Sequence, residues 1–279
     1  MKKFCVLLMT GVFLLAVRWA GAAPVAEDLS GAQKPVESAG KLSAPERSSF
    51  SGDTTSAIKQ FMQRVQQAYR SASYLSFHVH YRYANQNQPD NYIDTMSGEV
   101  AMDRNRMRYL IGDIETVTND KYTIQVIKDQ KLIYLSVPHS VQLPDPVAML
   151  DTVLTRLDGI RTQITRNKGI ATLQMNFPPG HTYKNITMSV NEATGYFQKI
   201  VYELYTEGLV EKDQLMQPGN HGTYQTEGRI EIVFSDYRQG QFTDKLFNEE
   251  RYFTRLGQGK YEPSEKYRDY QLFLASPKL

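Results

Sequence analysis

Apolar positions change their period twice along the chain. Ala57, Ile58, Phe61, Met62, Val65, Ala68 and Tyr69 recur at helical spacing behind Asp53, Thr54, Thr55 and Ser56, any of which can cap a first turn. That spacing predicts one amphipathic helix over 57–69. The period then drops to two: Leu75, Phe77, Val79, Tyr81 and Tyr83 alternate with Ser76, His78, His80 and Arg82, as in a strand with one buried face. Strand patterns fill most of the remaining chain, over 92–103, 106–111, 121–128, 131–137, 160–166, 170–177, 185–191, 196–205 and 228–238. Short turn-forming connections, Asp129-Gln130, Asn167-Lys168-Gly169 and Ala193-Thr194-Gly195, make neighbouring strands antiparallel hairpins. One interruption at 145–157 carries Val147, Leu150, Val153, Leu154 and Leu157 at helical spacing and predicts a second helix inserted midway. Residues 207–227 and 254–267 read as loops, and 267–275 as a final strand.

These elements predict a mainly β (α+β) fold in one domain over 54–279. An antiparallel sheet this wide curls rather than staying flat, so the expected architecture is an incomplete curled β-barrel, a half-barrel, with the first helix filling the curl. Two segments precede that domain. Residues 1–22 have a basic start (Lys2, Lys3), an apolar run over 4–17 that is shorter than the roughly 20 residues of a membrane-spanning helix, and a small-residue end, the order of a cleavable signal peptide. Residues 23–53 are rich in Ala, Ser, Pro and charge, too poor in apolar groups to offset their ordering entropy, and read as a disordered linker. The expected location is the periplasm, or outside the cell.

Charge and candidate chemistry narrow the function by exclusion. Of 32 Lys+Arg and 30 Asp+Glu, the signal peptide takes Lys2, Lys3 and Arg18, which leaves 29 against 30. Such a near-neutral domain lacks the field that draws a protein to nucleic acid. The one cysteine, Cys5, and the one tryptophan, Trp19, lie in the signal peptide, so disulfides and thiol chemistry are not expected in the mature chain. No nucleophile elbow, metalloprotease motif or phosphate loop occurs, and neither an enzyme nor a cofactor or metal is expected. His78 and His80 share one strand face and could offer two nitrogens to a metal, but Arg82 shares that face, and a solvated polar face is the simpler reading. Glu249-Glu250 and Asp113-x-Glu115 read as surface charges, and Asn185-Ile186-Thr187 as an incidental sequon.

The apolar face says more. In a curled sheet the concave side collects Phe77, Val79, Tyr81, Val100, Met102, Met107, Ile124, Val126, Ile133, Leu135, Leu173, Met175, Met188 and Val190. Methionines among them suit an adaptable apolar surface. Periodicity alone leaves two readings open, a filled core and a cavity for an apolar ligand.

The order of parts resembles a known family. An amphipathic helix, a strand opening Leu75-Ser76-Phe77, then Ser97-Gly98-Glu99-Val100-Ala101-Met102, Arg104 and Met107-Arg108-Tyr109 are similar to the LolA-like family of periplasmic lipoprotein carriers. So are Lys128-Asp129-Gln130-Lys131-Leu132-Ile133-Tyr134-Leu135, Asp145-Pro146-Val147-Ala148-Met149-Leu150, Gly195-Tyr196-Phe197-Gln198-Lys199-Ile200-Val201-Tyr202, and 230–234 followed by Asp244-Lys245-Leu246-Phe247. The resemblance covers roughly 57–253. It implies a half-barrel whose concave face, lidded by helices, holds acyl chains of lipids or lipoproteins. On that footing Ile58, Phe61, Met62 and Val65 form the lid, and Arg104 matches an arginine that bonds it. The implied partners are acyl chains, with other envelope proteins as the alternative, and the chain is expected to act as a monomer.

Overall fold

The computed structural model describes residues 52–138, 159–206, 224–240, 244–257, 259–276 and 279. The expected signal peptide at 1–22, residues 23–51 of the expected linker and the helix expected at 145–157 lie outside them, while residues 52 and 53, expected to be linker, belong to the first helix. Helix α1 (Gly52–Ser71) leads directly into the sheet. The first six strands are β1 (Tyr74–Asn85), β2 (Tyr92–Asp103), β3 (Arg106–Ile111), β4 (Ile114–Thr118), β5 (Thr123–Ile127) and β6 (Leu132–Ser136). A second run comprises β7 (Arg161–Asn167), β8 (Ile170–Asn176), β9 (Tyr183–Asn191), β10 (Phe197–Tyr205) and β11 (Glu227–Gln239). The chain closes with β12 (Phe253–Gly257), β13 (Lys260–Pro263) and β14 (Gln271–Leu274).

Twelve of these strands make one sheet in the order β14-β6-β5-β4-β3-β2-β1-β11-β10-β9-β8-β7, and β12 pairs with β13 separately. Each run is a meander of hairpins, and β1 sews the two runs together by pairing antiparallel with β11. The sheet curls but does not close, which is the half-barrel expected. β14 alone runs parallel to its neighbour, β6.

Two segments that read as irregular are ordered strands. β4 is hidden in the sequence because both its faces are buried, so Ile114-Glu115-Thr116-Val117-Thr118 shows no apolar-polar alternation. Its turn from β3 is the two-residue Gly112-Asp113, with Gly112 at φ +56, a conformation only glycine adopts cheaply. The stretch after Thr254, expected to be a loop, holds the β12–β13 hairpin and a 3-10 turn at Glu265–Tyr267. The final strand is shorter than expected.

Register divides the apolar residues between two faces. Phe77 lies opposite Val100, and Val100 opposite Tyr109; Leu75 lies opposite Met102, and Met102 opposite Met107. On the other run, Leu173 meets Met188 and Met175 meets Ile186. These form one core with Ile58, Phe61, Met62 and Val65 of α1, and the side that carries them is called the helix face below. Following Met107 across the sheet gives Thr118, Thr123 and Ser136 on that same face. Ile124, Val126, Ile133 and Leu135 therefore point to the far face, not to the concave side expected of them, because alternation moves neighbours to opposite faces. There they form a second core with Val117, Tyr122, Phe247, Tyr252, Phe253 and Tyr267.

Polar groups hold the C-terminal segment on that far-face core. Glu115, buried in β4, accepts from Arg108 Nε at 2.7 Å and from the Tyr252 hydroxyl at 2.8 Å. Asp103 pairs with Arg106, whose guanidinium lies over the Phe247 ring. Asn119 Nδ2 donates to the Phe247 carbonyl at 3.0 Å, while its Oδ1 accepts the amides of Lys121 and Tyr122. A buried carboxylate with such partners meets the desolvation cost that would otherwise exclude it.

Candidate ligand-binding face

Beneath α1 the helix face is packed. Ile58, Leu173 and Met175 are fully buried, Val79 and Tyr81 nearly so, and Val65, Phe61, Val100, Met102, Met188, Val190 and Phe77 are all buried in the same cluster. The end of α1 is fastened by aromatic groups. The Tyr69 hydroxyl bonds that of Tyr237 at 2.7 Å, and Tyr237 donates to the Phe197 carbonyl at 2.9 Å. Tyr196 and Tyr237 stack with ring centroids 4.6 Å apart, and Tyr69 meets Tyr196 edge-on at 5.3 Å. Burial pushes the Tyr69 hydroxyl up to about 12, the bonds to Tyr237 and Phe197 opposing it only in part. Gly195, at φ +75, lets the β9–β10 turn close on the helix, since a Cβ there would sit 2.7 Å from that of Ala68. The expected lid residues are thus built into a core, and Arg104 stands apart from them. It is exposed in the β2–β3 turn at φ 51, with its backbone amide bonded to the Ser73 carbonyl, and among the described residues its side chain makes no bond to α1.

Across β3, β5, β6 and β14 the same face is more open, with the β4 residues between them buried, and it is graded in polarity. One cross-strand row is aliphatic: Ile111, Ile114, Ile127 and Leu132, with Ile127 and Leu132 half-exposed. The next row runs Tyr109, Thr116, Gln125, Tyr134 and Phe273; Tyr134 stacks on Phe273, which is 43% exposed. A third carries half-buried Met107, then Thr118, Thr123 and Ser136, with the two threonine hydroxyls 3.2 Å apart. Of the residues singled out from sequence, only Met107 lies on this half-open surface. Ile127, Leu132, Tyr134 and Phe273 escape a sequence reading because the unrecognised strand β4 carries the parity of β5 and β6 to the wrong face, whereas Tyr109 shares the β3 alternation of Met107 and is legible from it. Ile111 and Ile114 flanking Gly112-Asp113 are the signal that could have found them.

The remaining candidates have structural roles. His78 and His80 do share the far face, where His78 Nδ1 lies 2.9 Å from Asp236 Oδ2 and His80 Nδ1 lies 2.9 Å from Ser97 Oγ. Among the described residues no group of His, Cys, Asp or Glu is placed to hold a metal. His181 lies against the Phe177 ring, and His139 and His221 are outside the described residues. Glu115 is buried rather than a surface charge, and Glu249 is engaged by Lys121 and Asn119. The sequon asparagine Asn185 is buried and donates to Asn176 Oδ1 at 2.7 Å, so it presents no free amide for a glycan.

No family model matches the chain, and no curated protein matches it. Similar solved structures include an uncharacterised conserved protein from Thermus thermophilus, at 9% identity and TM-score 0.42 over 78% of this chain and 99% of that one. A LolA superfamily protein from Nitrosomonas europaea is 11% identical with TM-score 0.30, over 69% of this chain and 97% of that one. The Mycobacterium tuberculosis lipoprotein LppX is 13% identical with TM-score 0.31, over 68% and 99% respectively.

Proposed function

We propose that the chain is a non-catalytic carrier that holds an acyl chain of a lipid or lipoprotein against the helix face of β3–β6 and β14, in the periplasm to which residues 1–22 would direct it. The observation that supports this reading is the unequal treatment of one sheet face. It is packed under α1, yet half-exposed and apolar at Met107, Tyr109, Ile127, Leu132, Tyr134 and Phe273. Exposed apolar area that adjoins a core has a natural partner in a ligand of the same character. Each methylene buried there contributes about 0.8 kcal/mol, so affinity grows with chain length. The half-buried hydroxyls of Thr123 and Ser136 give the polar end of such a ligand a place on the same face. No energy-coupling motif occurs in the sequence, so loading and release would follow the relative affinity of a partner's own apolar surface.

The test is binding of a fluorescent fatty acid to protein purified without detergent, with lipid extraction and mass spectrometry alongside. Ile127→Glu and Leu132→Glu sit at half-exposed positions where the new carboxylate can reach water, and each is expected to weaken the probe by at least about tenfold with the fold intact by circular dichroism. Saturable binding that is indifferent to both substitutions would place the ligand elsewhere. No probe uptake and no extractable lipid in the wild-type chain would favour an envelope interaction module instead.

A further inference from the structure

At the opposite end of the sheet, between α1 and strands β7–β9, lies a pocket of about 190 Å³. Its floor is Phe61, Ala171 and Val190, and its rim is Gln60, Arg64, Arg166 and Glu192. It exists because of one cross-strand row on the helix face, Arg166 opposite Ala171 and Ala171 opposite Val190. The adjacent row holds Ile164, Leu173 and Met188, which fill the space under the helix; Ala171 does not. Arg166 is a charged residue on a face otherwise apolar across β8–β10, and its place on the edge strand lets its head reach water, with the side chain 58% exposed. Gln60 and Arg64, one helical turn apart, overhang the same opening.

The charges at the rim are unbalanced. Arg166 Nε lies 3.1 Å from Glu192 Oε1, whereas Arg64 donates to the main-chain carbonyl of Glu192. Two guanidinium groups therefore face one carboxylate, and each guanidinium carries five donors of which these bonds use few. We propose that the pocket binds a short-chain monocarboxylate from solution, its carboxylate taken by Arg64 and Arg166 and its hydrocarbon tail laid on Phe61, Ala171 and Val190. The volume sets the size: 190 Å³ is the space of about six waters at about 30 Å³ each, below that of a drug-sized site.

Hexanoate titrated into the intact mature chain, followed by NMR shifts of the Ala171 and Val190 methyl groups, tests the assignment. Saturable shifts are expected with hexanoate, and binding at least about tenfold weaker with 1-hexanol, which lacks the charge, and with acetate, which lacks the tail. Arg166→Gln, at an exposed position, should raise the hexanoate Kd at least about tenfold, and Ala171→Leu should abolish binding by filling the floor. Absence of saturable shifts in the wild-type chain, equal binding of hexanol or acetate, or an unchanged Kd in Arg166→Gln would each overturn it. Arg166→Gln is decisive by itself, so the proposal stays falsifiable even if Ala171→Leu misfolds.

Discussion

Glu115→Gln should loosen the C-terminal segment from the sheet and lower global stability by about 3 kcal/mol. The carboxylate is 4% exposed and has Arg108 Nε at 2.7 Å, the Tyr252 hydroxyl at 2.8 Å and Lys128 Nζ at 3.8 Å. Removing one partner of a buried pair costs about 3–5 kcal/mol, since the other charge is left behind. Arg108 is 13% exposed and retains Glu99 at 3.8 Å, which places the cost at the lower end. Burial pushes the Glu115 carboxyl up, but the Arg108 bond and charge, with Tyr252 and Lys128, outweigh burial and hold it below the usual 4.5. Its contribution is thus full above pH 4.5 and lost as the pH falls through the depressed value, so the variant should have a flatter acid limb than the wild-type chain. Urea melts at pH 7 and across the acid range measure both, and limited proteolysis at 244–276 reports the local effect. The double variant Arg108→Met with Glu115→Leu, which removes both buried charges and leaves only the more exposed Lys128 and Glu99 and the Tyr252 hydroxyl short of a partner, should recover part of the loss. A loss under about 1 kcal/mol for Glu115→Gln, or a double variant as unstable as the sum of its parts, would refute the reasoning.

Phe61→Ala should cost about 3–5 kcal/mol, as for a large buried aromatic, and α1 amides should exchange as slowly as those of β1 with or without fatty acid; fast exchange slowed by ligand would make α1 a lid. Gly195→Ala should cost more than about 1 kcal/mol, from positive φ and the 2.7 Å approach to Ala68, and a neutral effect in thermal melts would show that the turn does not seat the helix. Burial raises the Tyr69 hydroxyl to about 12, so its contribution to stability is full below pH 10 and lost as the pH rises toward 12. Absorbance at the phenolate band should therefore stop short of full titration until a cooperative alkaline transition, and smooth complete titration by about pH 11 would contradict the tyrosine cluster at Tyr69 and Tyr237.

Long, strictly alternating strands are legible in the sequence because each has one wet face. β1, β8 and β9 follow the expected pattern, as do the helix at Ile58, Phe61, Met62 and Val65 and the hairpin turn at Gly195. What fails is parity. Thr123–Ile127 and Leu132–Ser136 carry apolar groups on both sides, so nothing inside either strand says which side meets the helix; that depends on counting hairpins from β3, and β4 shows no pattern to count. The C-terminal segment is illegible for a related reason, since Phe247, Tyr252, Phe253 and Tyr267 have no period and their partners Glu115 and Asn119 lie far earlier in the chain. The pocket at Ala171 arises from the crossing of a helix over a cross-strand row, and no local pattern encodes that.

The parallel docking of β14 on β6 has a consequence for how the chain reaches its folded state. Leu-Ile-Tyr-Leu-Ser at 132–136 has no charge and no proline and is apolar on both sides, the composition of an edge that recruits strands from other molecules. The edge at β7, by contrast, carries Arg161 and Arg166, with Lys168 in the adjoining turn. The cover for β6 is synthesised about 140 residues after it, so a nascent chain must pass through an interval in which its stickiest strand is bare. Truncation before Gln271 would then register first as aggregation during folding, with helix α1 and its core still intact, and a chaperone that meets the unfinished chain has its most pressing task at this strand.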